Sequence, residues 1–593
     1  MAGRTNGFVK AVLCALIAGG VALMPAAGAT AREPQGRDQG SYAVVIVAPD
    51  RGAAGNREVR EAASALLDPP HHVLFIGDDE QGVEDGYRAE LDAARDFLAK
   101  RGARRAVLVP LFVMGDEPLL MRFRPVIENA LAAFRPSWTP ALVDDYLFEE
   151  IVLDRFAAAA GPVAGHAGHH SGPSLTGGGR HPTRWLLFAD AGSPQAAAEK
   201  TRQLAGLAGR LARIGGWPRP PRVAVLAGGD DPGSRAHDEA VLAQIRESAP
   251  AVVMPAVIGR KATPMMSLHH ALARRLDAPG VTLLPELLPH PLITTHIERM
   301  VNAVIPPRSA AEVGLVLMAH GATKPYNDIL RAWAARTFPD RPWALALGMA
   351  DPDSIATALA ELEARGVRHA VFYRLFAHPW TFAERADFII GLRREPPAGG
   401  HMGMPARART AIRLVSSGGY LDDPLAARIL ADRARSVSRT PQREAVFVLS
   451  HGSGNAATEA RQQAVVSERL AEAARLVQPP FAAWHAMSLF EDWPAKREPA
   501  LDAIRAAMAA ERARGRRILV VSPRLIGPGP IPRLLHGESF ALAGDGLLPH
   551  PLFAELVRRR VAALTARLLA HDEAAGAAAP TGATGRAFAP LPD

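Results

Sequence analysis

Two histidines stand where an apolar run gives way to glycine. Val313–Asn327 reads Val-Gly-Leu-Val-Leu-Met-Ala-His-Gly-Ala-Thr-Lys-Pro-Tyr-Asn, and Ala445–Asn455 repeats the pattern as Ala-Val-Phe-Val-Leu-Ser-His-Gly-Ser-Gly-Asn. Each apolar run reads as a buried strand, and the polar residues after it begin a helix. His320 and His451 therefore project from carboxyl ends of strands, the edge at which open parallel α/β sheets hold their ligands. A third strand, His369–Phe376, delivers His378 two residues beyond its end. In a parallel sheet ordered 2-1-3-4 the His320 and His378 strands are neighbours, so both imidazoles converge above one edge of the crevice. Two imidazoles with open coordination positions suit a divalent metal that has to be held and then released. Glu384 and Asp387 on the next helix, or Asp351 and Asp353 after the second strand, can add a carboxylate.

These residues sit in one phrase of a longer repeat. From Ser41 the chain alternates strand (Tyr42–Ala48), helix (about 56–67), strand (His72–Ile76), helix (about 87–100), strand (Ala106–Val113) and helix (Leu119–Phe134). That spacing implies βαβ crossovers and a parallel sheet. Four closing phrases share one shape: Asp144-Asp-Tyr-Leu, Leu288-Pro-His-Pro-Leu, Asp422-Asp-Pro-Leu and Leu548-Pro-His-Pro-Leu, each a polar turn before an apolar helix. A repeat of roughly 130 residues is domain-sized, so each copy has its own sheet. The lobes expected are 41–160, 184–306, 312–440 and 443–572. Each is an α/β unit whose four-stranded parallel sheet is flanked by helices in a flavodoxin-like order.

The copies differ in chemistry. The first has Pro49-Asp50 where a strand-end histidine would stand, with Asp116 and Glu117 after its third strand. The second has Asp190-Ala-Gly there, with His269 and His270 on a later helix. Both read as degenerate lobes. The fourth keeps His451, but Gly527-Pro-Gly-Pro-Ile-Pro follows its third strand with no counterpart of His378; His485 reads as a wall residue and His536 lies nearby. His290 and His550 precede proline at a helix start, so they read as helix-start or packing residues.

The whole chain has 593 residues, 68 basic against 60 acidic side chains and a formal net charge of +8. The charges are interleaved, with no localised basic footprint, which argues against nucleic acid. Residues 1–31 read as a secretory signal: Arg4 and Lys10, an apolar Val12–Leu23, and Ala29-Thr-Ala before Arg32. The expectation is a bacterial periplasmic or secreted protein, with no membrane span once the signal is removed. The one cysteine, Cys14, lies in that signal, so the mature chain has no thiol chemistry. Residues 161–183 are glycine-rich and carry His166, His169, His170 and His181; they read as a linker, with a loose metal-collecting role open. Residues 573–593 read as a disordered tail. No G-x-x-x-x-G-K-[ST] loop occurs, so no nucleotide is expected.

Strand-(Ala/Ser)-His-Gly-(Ala/Ser), the third-strand phrase Val-Pro-Leu-Phe within Ala106–Val113, the histidine after such a strand and the Asp-Asp-(Tyr/Pro)-Leu closing helix together resemble the class II tetrapyrrole chelatases, above all the sirohydrochlorin cobaltochelatase and ferrochelatase group. The resemblance touches all four copies and implies lobes paired into bilobal units, with the macrocycle between two lobes. It implies that His320 and His378 bind the entering metal, with His451 as a single equivalent in the fourth lobe. It also implies that a carboxylate such as Glu384 helps remove pyrrole protons. The activity implied is insertion of cobalt, iron or nickel into a sirohydrochlorin-type tetrapyrrole without ATP. A basic rim for the ring's carboxylates would draw on Lys324, Arg374 and Arg385. The alternative is a non-catalytic metal or tetrapyrrole carrier on the same fold. A histidine-dependent phosphatase or a serine hydrolase is disfavoured, because neither an Arg-His-Gly triplet nor a G-x-S-x-G elbow is present.

Overall fold

A computed structural model describes residues 42–66, 69–77, 83–159, 182–259, 268–398 and 402–570. The expected signal, the four linker histidines and the tail fall outside these residues. Among the described residues sixteen strands form four parallel sheets. The first lobe has β1 (Tyr42–Pro49), β2 (His71–Ile76), β3 (Arg105–Pro110) and β4 (Ser137–Trp138). The second has β5 (Thr183–Phe188), β6 (Arg222–Val225), β7 (Ala251–Ala256) and β8 (Val281–Leu283). The third has β9 (Val313–Ala319), β10 (Trp343–Leu347), β11 (His369–Arg374) and β12 (Arg413–Gly418). The fourth has β13 (Glu444–Ser450), β14 (Ala483–Ser488), β15 (Arg517–Val521) and β16 (Ala541–Leu542). Every sheet has the order 2-1-3-4.

The first and third strands of each lobe are central, and the middle of each is apolar and buried, as covering on both faces demands; polar residues such as Arg105, Arg184, Glu444 and Arg517 stand at or near their ends. The third strands are shorter than their apolar runs. β3 ends at Pro110 and β11 at Arg374, with one further bond each, Leu111 N to Val47 O (2.8 Å) and Leu375 N to Met318 O (2.7 Å). The apolar residues beyond line the turn over the sheet edge, which places His378 four residues past its strand.

Which lobes pair is decided by their closing helices. Tyr146–Ala159, from the first lobe, packs on β7 of the second, and Pro291–Val304 returns to β3 of the first. Pro424–Val437 and Pro551–Leu569 make the same exchange between β15 and β11. Each exchange fuses two lobes into one apolar core. Removing the helix face of Leu425, Ile429 and Leu430 from water is worth about 1.5–3 kcal/mol per large side chain, which explains why the lobes are not independent.

The closing phrases carry matching polar locks. His290 and His550 are helix caps: Nδ1 accepts the backbone N–H of Leu292 and of Leu552 (3.2 Å each). That tautomer leaves Nε2–H facing Asp154 (3.5 Å) and Asp432 (3.4 Å) of the preceding lobe. Asp145 pairs with Arg299 (3.4 Å) and Asp423 with Arg559 (2.6 Å).

The two bilobal units meet at a buried charge cluster. Glu149 is fully buried and accepts from Arg210 Nε (2.8 Å), Arg394 Nη2 (2.8 Å) and Arg407 Nη1 (2.6 Å). Burial opposes its ionisation, but Arg407, Arg394 and Arg210 together outweigh it and hold the carboxyl down at about 2. Tyr146 donates to Ala408 O (2.7 Å), and a ring nitrogen of His369 meets Asn302 O (2.9 Å) across the same joint.

Candidate metal centre between the third and fourth lobes

β9 and β11 are hydrogen-bonded neighbours, in register from His369 with Val313 to Arg374 with Met318. His320 leaves the sheet directly after β9 and is exposed. Its Nδ1 lies 2.6 Å from Gly321 O, an acceptor only, which selects the tautomer with the proton on Nδ1 and the lone pair on Nε2. Gly321 is required there. Its φ of 69° is left-handed, and a Cβ would stand 2.8 Å from that of Leu347. Gly452 repeats the arrangement with φ of 87° against Phe490 and Ser488, which accounts for the His-Gly pair in both lobes.

His378 is 5% exposed, and its ring lies parallel to Trp380 with centroids 4.8 Å apart. Its Nδ1 is buried and has no hydrogen-bond partner. Burial pushes the imidazole down to about 4; Asp422 opposes that shift and Arg461 of the fourth lobe adds to it. The ring is therefore neutral near pH 7, the form that can ligate a metal. Beneath it, buried Arg374 donates to Pro379 O (3.0 Å) and Ser416 Oγ (2.5 Å) and lies 3.4 Å from Asp387. Arg374 thus braces the His378 loop and forms no part of a basic rim. Lys324 pairs with Asp328 (2.6 Å), and Arg385 donates to Gly403 O (2.8 Å).

The acidic candidates divide. Glu384 is exposed and lies 3.2 Å from Arg393. Asp351 caps the helix Pro352–Glu363 by accepting from Ser354 N (2.8 Å). Burial pushes Asp387 upward, against the pull of Arg374. Among the described residues no three His, Cys, Asp or Glu side chains gather into a metal-holding group. The sheet brings the His320 and His378 loops together, then, without closing a ligand shell around them.

In the fourth lobe His451 Nδ1 lies 2.9 Å from Gly452 O and Nε2 lies 3.2 Å from Asp492. Both ring nitrogens of His451 thus face oxygen atoms, and its Nε2 is engaged with Asp492. His485 stacks on Phe447 (4.4 Å) and meets Glu511 (3.3 Å), as a wall residue does. Arg461 and Arg524 reach toward the third lobe. The Arg461 guanidinium lies 3.9 Å from the Trp380 ring centroid, and Arg524, ion-paired with Glu491, acts on the charges of Tyr326 and Tyr420. Trp380, Asp422 and Arg461 were not candidates from sequence; the histidine-proline-aromatic order after β11 was the available signal.

The first pair closes the equivalent space. Arg51, Glu117 and Asp190 line a void of about 10 Å³, and Lys200 crosses between lobes to Asp116 (3.3 Å). Asp50 is occupied with Gly52 N and Asn56 Nδ2 (2.8 Å each). Glu117 accepts from Val113 N (2.8 Å) and Met114 N (2.9 Å), yet burial pushes it up to about 7.

No protein-family model and no curated protein matches the chain. Among solved structures, SirB from Bacillus subtilis with Fe3+ aligns with 44% of this chain and 94% of its own, at 15% identity and a TM-score of 0.29.

Proposed function

We propose that the chain is a chelatase-like protein that inserts a divalent metal, cobalt, iron or nickel, into a sirohydrochlorin-type tetrapyrrole without ATP, in the cleft between the third and fourth lobes. The reading is carried by His378: a neutral, buried imidazole whose Nδ1 has no partner, on the strand next to His320 with its free Nε2. The metal is substrate. His320 and His378 hold it, and His451 is the imidazole available from the facing lobe. Insertion replaces these ligands by four ring nitrogens and releases two pyrrole protons, which need a base. Glu384 serves as that base once it leaves Arg393; Asp422 is the carboxylate whose charge His378 feels. Export follows the reading of residues 1–31 as a signal, and the proposed site of action is then the bacterial periplasm or the outside of the cell.

The test is spectral. Purified protein with sirohydrochlorin and Co²⁺ should shift the ring's visible bands faster than buffer, and His320→Ala or His378→Ala should remove the acceleration. Unchanged rates in both variants would sink the assignment. Pro49-Asp50 and Asp190-Ala-Gly in place of strand-end histidines in the first two lobes favour a second reading, a metal or tetrapyrrole carrier on the same fold. Calorimetric titration with Co²⁺ and with the ring, showing saturable binding but no turnover, would select it.

A further inference from the structure

His378 has an unusual cover. Trp380, two residues on, lies over the imidazole at 4.8 Å and 14° from parallel, and its Nε1 is buried without a partner. The Arg461 guanidinium, from the first turns of Ala456–Leu476 in the other lobe, lies 3.9 Å from the same indole centroid. Among the described residues Arg461 forms no ion pair, so the ring face is what holds an otherwise exposed cation. A cation held only by an aromatic face is weakly retained, and an anion can draw it away.

We infer that Trp380 and Arg461 form a clasp across the third and fourth lobes that closes over His378, and that its release decides whether the imidazole can be reached. The inference rests on His378 as a site residue but requires no particular reaction there. Release exposes three things together: the lone pair of His378, the indole face and a free guanidinium. A flat, polycarboxylate ring matches all three, since its face replaces the guanidinium on Trp380 while a carboxylate takes Arg461. In that order of events the ring opens the site and the metal follows.

Diethyl pyrocarbonate, which carbethoxylates accessible neutral imidazole, tests the clasp in the intact chain, with peptide mass spectrometry assigning each histidine. His320 is exposed and reports unhindered reaction, while His296 and His369 are buried elsewhere and report general loosening. In the parent protein His378 should react far more slowly than His320. Arg461→Ala should raise the His378 rate roughly 5- to 10-fold and leave the other three unchanged. Arg461→Lys, which keeps the cation, should restore part of the protection. The clasp is wrong if His378 already matches His320 in the parent, if Arg461→Ala and Trp380→Ala both leave it protected, or if His296 and His369 become reactive with it. Should Arg461→Ala uncover His378 while the variant takes up no Co²⁺, the clasp stands and the insertion reading falls.

Discussion

The two clefts share one skeleton and differ at its rim. Both pairs exchange closing helices, cap them with His290 or His550, and tie Asp145 or Asp423 to an arginine at the matching place. At the carboxyl ends of the strands the likeness stops. Between the first and second lobes, Arg51, Glu117 and Asp190 enclose room for about one water, and Lys200 is fastened across to Asp116. Between the third and fourth, the same edges of the sheets carry His320, His378 and His451, with an indole and a guanidinium meeting across the lobes. Helix exchange and capping are demands of folding, satisfied in both pairs by His290 and His550 among others; imidazoles at the strand ends serve no such demand and stand in one pair. The rim can lose its chemistry while the scaffold stays intact, which is why function has to be argued from the rim.

The largest effect expected lies at the joint between the pairs. Glu149→Gln leaves three guanidiniums without their shared carboxylate and should cost about 3–5 kcal/mol in chemical unfolding, while the pairs' own cores remain. Acid should act there in two stages. His369 is pushed to about 4, mainly by burial, so the contribution of its neutral ring is complete above its ordinary value of 6.5 and is lost as pH falls toward 4. The Glu149 carboxylate, held at about 2, contributes fully above 4.5 and is lost as pH falls toward 2. A pH-resolved unfolding series in which His369→Gln removes the upper stage and Glu149→Gln the lower would sharpen the picture. A series in which neither changes would break it.

Next come the clefts themselves. In the Arg461→Ala background, where the clasp is open, His378→Ala should weaken Co²⁺ binding by at least about 10- to 100-fold, the loss typical even of an outer-shell partner, whereas Glu117→Gln should leave it unchanged. Equal losses by titration calorimetry would erase the distinction between the two sites. Glu117→Gln should instead act on stability. The folded carboxyl is raised to about 7, so ionisation destabilises the fold increasingly from pH 4.5 to 7. The variant should be more stable than the parent at pH 8, by about 1–2 kcal/mol, and equal to it at pH 4. The smallest effects belong to the common skeleton: His290→Ala and His550→Ala should each cost about 1 kcal/mol, and unequal costs would show that the pairs are not held alike.

Much of this was legible in the chain because the cues were local. Continuous apolar runs placed the long strands, their alternation with helical segments placed the crossovers, and the polar turn before each closing helix marked the repeat. The fourth strands were expected but could not be placed: β4 and β16 have two residues each and β8 three, too few for any periodicity, and β12, though six residues long, reads Arg-Leu-Val-Ser-Ser-Gly, half of it polar; each lies on the edge of a third strand. The pairing of lobes was hidden as well, since it depends on which sheet a helix packs upon. At the site, the order 2-1-3-4 made the strands that lead to His320 and His378 neighbours, and β9 and β11 are indeed hydrogen-bonded to each other. What the residue order did not reveal was distant partnership: Arg393 beside Glu384, Arg374 drawn into the third lobe, and Arg461 crossing to Trp380.

The central claim is that metal chemistry resides in the second cleft and not in the first. Metal insertion into sirohydrochlorin, followed by absorbance with Co²⁺ in the parent, His320→Ala, His378→Ala and Glu117→Gln proteins, tests it most directly. The account predicts acceleration in the parent and in Glu117→Gln, and loss in both histidine variants. Acceleration that survives both histidine changes, or that disappears only with Glu117, would contradict it.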